Sequence, residues 1–194
     1  EAELRKLEGY AVGDAKVQEI ELAKKLINDG GYAGMAFKIL TRHGSLFAEA
    51  AAFMQDQLKA VGLDAQLEPV EPAIFYPRAN AGDHDFACNL SLAFGVSTNA
   101  ILEEFTAEGG SRWYGQWSDP EMVDRLYALS TEVDADKRKE LIYDYQRDFI
   151  ERAYQVVLGF RLIDMEYWSY VQGLNMYSVP IAEQWYAEAW FAPR

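Results

Sequence analysis

The sequence has few cysteines and histidines, the residues that form disulfides and many metal sites. Cys88 is its one cysteine, so no disulfide can form within the chain. The two histidines, His43 and His84, do not lie in clusters of cysteine, histidine or carboxylate residues with metal-ligand spacing. The glycines around residue 31 follow a predicted helix, whereas a phosphate-binding loop lies between a strand and a helix. We therefore expect no metal and no cofactor.

Basic residues are scarce as well. Lysine and arginine number 18 against 31 aspartates and glutamates, which gives a net charge of −13. A surface of this charge repels phosphate backbones, and the one tight basic group, residues 137–139, is flanked by acidic residues. Apolar runs long enough to cross a membrane, about 18 residues, are also missing. We expect no nucleic-acid partner and no membrane span.

The patterns of an enzyme active site are missing too. No serine lies in a nucleophile elbow, and Cys88 falls in an apolar strand where it is expected to be buried and inert. The many acidic residues offer no particular pair at a strand end, so no catalytic residue is assigned. We predict a protein that is not an enzyme, with a self-contained hydrolase that has an acidic pocket as the alternative.

What the sequence has is a hydrophobic content of 50%, typical of a globular protein. Helical spacing of apolar residues begins at Asp14, with an expected Glu21–Lys25 pair, and a strand follows over residues 36–41. Ser45 is expected to cap the next helix, and a strand around residues 65–67 comes after Gly62. Strand, helix and strand with short connections predict an α/β fold with a right-handed crossover and a parallel pair.

Further elements are predicted beyond the crossover. Residues 119–121 are expected to start one helix, with Pro120 in its first turn and Val123, Leu126 and Ser130 facing inward, and Asp134 is expected to cap the longest helix. The other predictions are a helix over 73–81, a strand over 85–94, a helix over 99–106 and a strand over 154–162. His84 is expected to be a solvated turn residue.

Candidate ligand-binding residues lie where strands end. Arg42 and His43 follow the first strand, immediately before a helix, and ligands of open α/β sheets bind beyond the carboxyl ends of strands. Residues 94–99, which include Phe94, Val96 and Asn99, follow a second strand and contain no charge. We expect these two strand ends to share one rim. A surface ion pair is the alternative for Arg42.

A glycine-flanked loop at residues 112–117 contains the large rings of Trp113, Tyr114 and Trp117. Such rings are costly to leave in water, so they either pack beneath the loop or cover a ligand. Core packing is the more common role of aromatic residues, and ligand contact is the second interpretation. Both stay open at this point.

Seven segments, in order, resemble the C-terminal lobe of the dipeptide- and oligopeptide-binding family of ABC-transporter solute-binding proteins (family 5). They are residues 7–10 with 20–32, the helix end at 54–63, Tyr76 with Asp85 and Phe86, residues 111–115, residues 118–126, residues 134–141, and residues 171–173 with Trp190. The match is spread over nearly the whole chain. Members of this family are longer, two-lobed receptors that close around a ligand.

The resemblance implies a periplasmic-binding-protein-like lobe with a mixed sheet, a right-handed βαβ crossover and flanking helices. Residues 1–172 would form the C-terminal lobe, and residues 173–194 would pack on the N-terminal lobe of the same protein. The implied partners are a small solute, peptide-like or other, and the permease of an ABC importer. The implied location is extracytoplasmic, in the periplasm or lipid-anchored at the cell surface, with the export signal absent from this chain.

The resemblance also has specific departures. Peptide-binding members place an aspartate after the matching strand to pair with the ligand's amino group, whereas residues 94–99 have no charge, so a free peptide amine is not expected there unless the other lobe supplies the acid. Arg42 matches, within about one residue, an arginine that holds the ligand carboxylate in some dipeptide binders. Trp113 stands in place of an asparagine. Uncovered tail aromatics would favour self-association, and a partner-binding module is a further alternative.

Overall fold

The computed structural model describes residues 5, 7, 9–89, 110, 112–159, 167–173 and 189–192. The chain divides into two compact units, the first spanning Glu1–Ser91 with Ser97–Leu158 and the second spanning Leu92–Val96 with Gly159–Arg194. The predicted helix at 99–106 and the candidates Phe94, Val96 and Asn99 lie outside the described residues. The predicted division into a lobe and a tail stays a prediction.

The first unit contains the predicted crossover. Its elements are α1 (Asp14–Asp29), β1 (Ala36–Arg42), α2 (Ser45–Ala60), β2 (Asp64–Val70), α3 (Pro72–Ala81) and β3 (Phe86–Cys88). The sheet order is β2-β1-β3, and both pairings are parallel, with Ile39 opposite Leu67 on one side and opposite Phe86 on the other. The α/β class, the parallel crossover and the helix at 73–81 are confirmed.

Strand β1 is the central strand of the sheet, and both of its faces are covered. Phe37 and Ile39 point to one face and pack with Ala51 of α2. Leu40 points to the opposite face and packs with Phe75 and Ala79 of α3. Helices α2 and α3 therefore lie on opposite faces of the sheet, and both are in contact with the strand that ends at Arg42.

Two further helices of the first unit, α4 (Pro120–Thr131) and α5 (Ala135–Glu151), pack against each other. The inward face predicted for α4 is partly wrong, since Val123 and Ser130 are exposed. The buried residues of α4 are instead Met122, Leu126 and Leu129, and they pack on Tyr145 of α5. Their spacing of four and three residues is that of a single helix face.

The helix starts divide into two groups. Asp119 and Asp134 lie at the predicted helix starts and cap α4 and α5, each accepting hydrogen bonds from two backbone N–H groups of the following turn. Asp14 and Ser45 were wrongly expected to cap: they are the first helical residues, and the preceding residue is a glycine, with no side-chain cap. Glycine is needed there because the backbone takes a positive φ, 122° at Gly44.

Three local predictions are corrected. Residues 154–159 of the predicted strand contain no strand, because the Tyr154 side chain turns back to pack on Trp117 and bind Asp119. Glu21 pairs with Lys24, three residues away, rather than with Lys25. His84 is half-buried rather than solvated.

The described part of the second unit contains a short antiparallel pair, β4 (Val171–Gln172) with β5 (Trp190–Phe191). The rings of Trp168 and Tyr170 stack with centroids 6.2 Å apart, and Tyr170 also contacts Phe191. Trp168 and Phe191 are 73% and 76% exposed. Among the described residues of both units, no helix has the length and apolarity to cross a membrane.

Candidate functional site

Arg42 is the last residue of β1, and it lies opposite Val70, the last residue of β2. The backbone N–H of His43 donates to the Val70 carbonyl at 2.8 Å, which extends the pairing by one residue. The side chain of His43 is exposed. Both candidates therefore lie at the carboxyl edge of the sheet, as predicted, and their role in binding stays a prediction.

The guanidinium of Arg42 has aromatic neighbours from two helices. Its Cζ lies 3.9 Å from the ring centroid of Phe47 and 5.4 Å from that of Tyr76. Nη1 donates to the Tyr76 hydroxyl. Nε is covered and has no hydrogen-bond partner. The cation is therefore held by ring faces and one hydroxyl, without a carboxylate neighbour among these contacts.

The loop at residues 112–117 docks on α3. The ring of Tyr114 meets Phe75 edge-on, with centroids 6.1 Å apart. The Gln116 side chain donates to the Asn80 carbonyl at 2.7 Å. Trp113 is half-buried, and its indole N–H is covered and has no partner. The loop is thus fixed to the same helix that supplies Tyr76.

Trp117 faces the helix pair of the first unit. Its indole stacks on Tyr154 with centroids 4.2 Å apart and an interplanar angle of 6°, and Phe149 of α5 lies 6.0 Å away. Trp117 and Tyr114 therefore pack in hydrophobic clusters. The structure places Trp117 in the packing role that the sequence left open, and a ligand role for either residue stays a prediction.

A polar cluster joins the start of α4 to the end of α5. The Asp119 carboxylate accepts from Arg152 Nη1 at 2.5 Å and from the Tyr154 hydroxyl at 2.6 Å, besides capping α4. Arg152 Nη2 also donates to Glu121 at 2.6 Å. The bond from Tyr154 contributes most to holding the pKa of Asp119 below its usual value. The Asp119 carboxylate, both Nη atoms of Arg152 and the Tyr154 hydroxyl are all paired within the cluster, which is typical of a structural role.

A second ion pair ties α3 to the sheet. Arg78 donates to both carboxylate oxygens of Glu68 on β2, at 2.9 and 3.2 Å, and its Nε donates to Asp83 at 2.8 Å. The hydrogen bonds from Arg78 lower the pKa of Glu68. Because Tyr76 lies on the same helix, this pairing fixes the helix that contacts Arg42.

Cys88 is buried and His84 is half-buried, and burial shifts the pKa of both side chains. Burial raises the pKa of the Cys88 thiol, and burial lowers the pKa of His84. Across the parts of the chain that the structure describes, no three histidine, cysteine or carboxylate side chains are grouped as metal ligands would be.

Phe47 and Tyr76 are the residues that sequence reasoning missed. The sequence places Phe47 only within a predicted helix, and it places Tyr76 only within a family motif. A usable signal exists for Phe47: Gly44 allows α2 to begin three residues after Arg42, which returns Phe47 to the strand end. Tyr76 has no such local signal, because its contact with Arg42 joins residues 34 apart in sequence.

Comparisons with known proteins identify solved structures that have a similar fold. No family model matches the sequence, and no curated protein matches it. Among solved structures, the periplasmic binding protein DppA from Helicobacter pylori, in complex with the peptide STSA, matches with a TM-score of 0.69 and 20% identity over 89% of this chain and 34% of that chain. A dipeptide-binding protein from Pseudoalteromonas, in complex with Met-Leu, matches with a TM-score of 0.66 and 19% identity over 88% and 35% of the two chains.

A third solved structure, OppA from Haemophilus influenzae in complex with RPPGFSPFR, matches with a TM-score of 0.61 and 19% identity over 75% and 29% of the two chains. The chain thus spans about a third of the length of these three proteins. The matches confirm the resemblance in fold to binding proteins of the dipeptide and oligopeptide type. The fold is that of a periplasmic-binding-protein-like lobe.

Proposed function

We propose that this chain is the ligand-binding lobe of an extracytoplasmic receptor that delivers a small solute to an ABC importer. The observation that supports it most is the placement of Arg42 at the carboxyl edge of the sheet, with a covered, unpaired Nε, on a fold shared with solute-binding proteins. An unpaired, covered donor is costly, about 1–3 kcal/mol, so it is typical of a group that meets an acceptor in another state.

The chemistry of Arg42 favours a solute with an oxygen anion. A guanidinium binds carboxylates through two parallel hydrogen bonds and stays charged at all physiological pH values. Peptides are the bound ligands named for three of the similar structures. A carboxylate of the solute would supply the acceptor that Arg42 Nε lacks.

The proposed rim contains Arg42, His43 and Trp113 among the described residues, together with Phe94, Val96 and Asn99. The loop of residues 94–99 has no charge, so we propose that the solute presents apolar or neutral polar groups there rather than an ammonium group. Tyr114 and Trp117 would fix the aromatic loop that holds Trp113 in place.

The receptor role implies a second lobe and a membrane partner. We propose that residues 173–194 pack on that lobe, and that closure of the two lobes on the solute is what the permease recognises. The exposed rings of Trp168 and Phe191, in the second unit, support an apolar partner surface near this tail. A chain without the other lobe would bind solute weakly and self-associate.

A thermal-shift screen tests the proposal, using the protein as its gene encodes it and a library of short peptides, organic acids and amines. Ligands that bind only the folded state raise the melting temperature by mass action. We expect stabilisation by one or more compounds that bear a carboxylate and none by amines without one. A complete absence of stabilising solutes would contradict the receptor function.

A further inference from the structure

The guanidinium of Arg42 has a hydrogen-bond partner at Nη1 but not at Nε. Nη1 donates to Tyr76, whereas Nε is covered and has no partner. In a guanidinium, Nε–H and one N–H of Nη2 point the same way along one side of the plane and match the two oxygens of a carboxylate. The bond to Tyr76 therefore lies at the opposite end of the group, and the covered Nε–H on this side is a donor without an acceptor.

Phe47 reaches Arg42 from one face of the sheet. Gly44 adopts a φ of 122°, which turns the chain directly from β1 into α2, and a Cβ at residue 44 would lie 3.5 Å from the Phe47 ring. The Phe47 centroid lies 3.9 Å from the Arg42 Cζ, close enough for the ring face to attract the cation. The short turn from strand to helix thus positions the Phe47 ring beside the guanidinium.

Tyr76 reaches Arg42 from the other face of the sheet. It lies on α3, which covers the face that Leu40 points to, and its ring meets Phe75 edge-on at 5.4 Å. Its hydroxyl oxygen accepts from Arg42 Nη1. Two helices from opposite layers therefore meet the same side chain at the end of the strand between them.

We propose that Phe47 and Tyr76 are positioning residues, which hold the Arg42 guanidinium in one orientation with its Nε and Nη2 side directed at a carboxylate of the solute. This inference rests on the proposed receptor function. A free arginine side chain samples many rotamers and loses that freedom on binding, whereas a held one has less freedom to lose. The Phe47 ring lies against the guanidinium and fixes the tilt of its plane. The Tyr76 hydroxyl fixes the rotation of the guanidinium within that plane.

Proton–nitrogen NMR of the arginine side chains tests the orientation directly. In the full chain we expect the Arg42 signals, assigned by their loss in Arg42→Lys, to show slow rotation and slow exchange of Nε–H. Tyr76→Phe removes only the hydroxyl, so the ring packing is kept and the Arg42 signals are expected to average and exchange faster. Phe47→Leu is the second variant, and Tyr127→Phe, an exposed tyrosine on α4, is the matched control.

The binding arm uses N-acetyl-alanyl-alanine, which has a carboxylate and no ammonium, and its carboxamide. We expect the acid and not the amide to shift the Arg42 Nε–H signal, with affinity reduced about tenfold in Tyr76→Phe and unchanged in Tyr127→Phe. Unaltered Arg42 signals in both Tyr76→Phe and Phe47→Leu would overturn the positioning role. Slow Arg42 rotation without any response to the acid would instead overturn the carboxylate role proposed for Arg42.

Discussion

The indole of Trp117 and the phenol of Tyr154 are stacked almost parallel, 4.2 Å apart, and the Tyr154 hydroxyl donates to Asp119. The stack joins the aromatic loop to the chain that follows α5. One face of Trp117 is therefore already occupied by a protein ring. Trp117 therefore stabilises the aromatic loop through this stacking.

Trp117→Ala is expected to destabilise the first unit substantially. Removing the indole leaves a cavity beside Tyr154 and Phe149, at a cost of about 2–4 kcal/mol for a half-buried ring. Urea unfolding followed by circular dichroism measures the loss. Trp168→Ala removes an exposed tryptophan of the second unit and serves as the control, with a small expected effect. Equal effects of the two substitutions would contradict the packing role of Trp117.

Phe75→Ala is expected to loosen α3 from the sheet. Phe75 is fully buried between Leu40 and the Tyr114 ring, so its removal should cost about 3–5 kcal/mol. Ile74 is adjacent on the same helix and 50% exposed, and Ile74→Ala should cost far less. Comparable unfolding midpoints for the two variants in urea would show that α3 does not pack as described.

Asp119 is expected to make stability depend on pH in the acid range. Its pKa is lowered in the folded state, chiefly by the hydrogen bond from Tyr154. The ionised carboxylate therefore stabilises the folded state. The contribution is fully present above the ordinary carboxyl pKa and is lost as the pH falls through that value to the lowered one. Stability should decline as the solution is acidified below about pH 4.

Asp119→Asn should remove much of that decline while lowering stability at neutral pH. Asp124→Asn changes an exposed carboxylate on the same helix and is the matched control. Melting temperatures from pH 7 down to pH 3 give the comparison. A variant curve parallel to that of the wild type across this range would mean that Asp119 does not titrate at a lowered pKa.

Cys88 is expected to resist thiol reagents while the chain is folded. Burial covers the sulfur and raises the pKa of the thiol, so little thiolate forms near neutral pH. Reaction with a chromogenic disulfide should be slow in buffer and fast in denaturant. Rapid labelling in buffer would place Cys88 on the surface and contradict its burial in β3.

The sequence predicted those helices, strands and caps that are determined by residues close together in the chain. The strands predicted at residues 36–41 and 65–67 and the helix between them indicated the crossover, since the pattern of each element lies within one short stretch of chain. The caps at Asp119 and Asp134 were also predictable, because a cap binds only the next turn. Asp14 and Ser45 were misassigned because a glycine beside each one starts the helix instead.

Contacts between distant segments could not be predicted in the same way. Residues 154–159 have strand propensity, yet Tyr154 packs on Trp117, 37 residues earlier in the sequence, and no strand forms. The inward face of α4 depends on where Tyr145 lies, which the α4 sequence does not encode. For the candidate site, the strand-end position of Arg42 was predictable, whereas its contacts with Tyr76 and Phe47 required the packing of two helices.

Titration calorimetry of the protein as its gene encodes it, with the most stabilising solute from the thermal-shift screen, tests the receptor function most directly. Arg42→Met should weaken binding about 10- to 100-fold, since a hydrogen-bonded charge is lost. Arg147→Met removes a partly exposed arginine of α5, paired with Asp144 on the same helix, and should leave the affinity unchanged. Equal affinities of the wild type and Arg42→Met would contradict a solute-binding site built around Arg42.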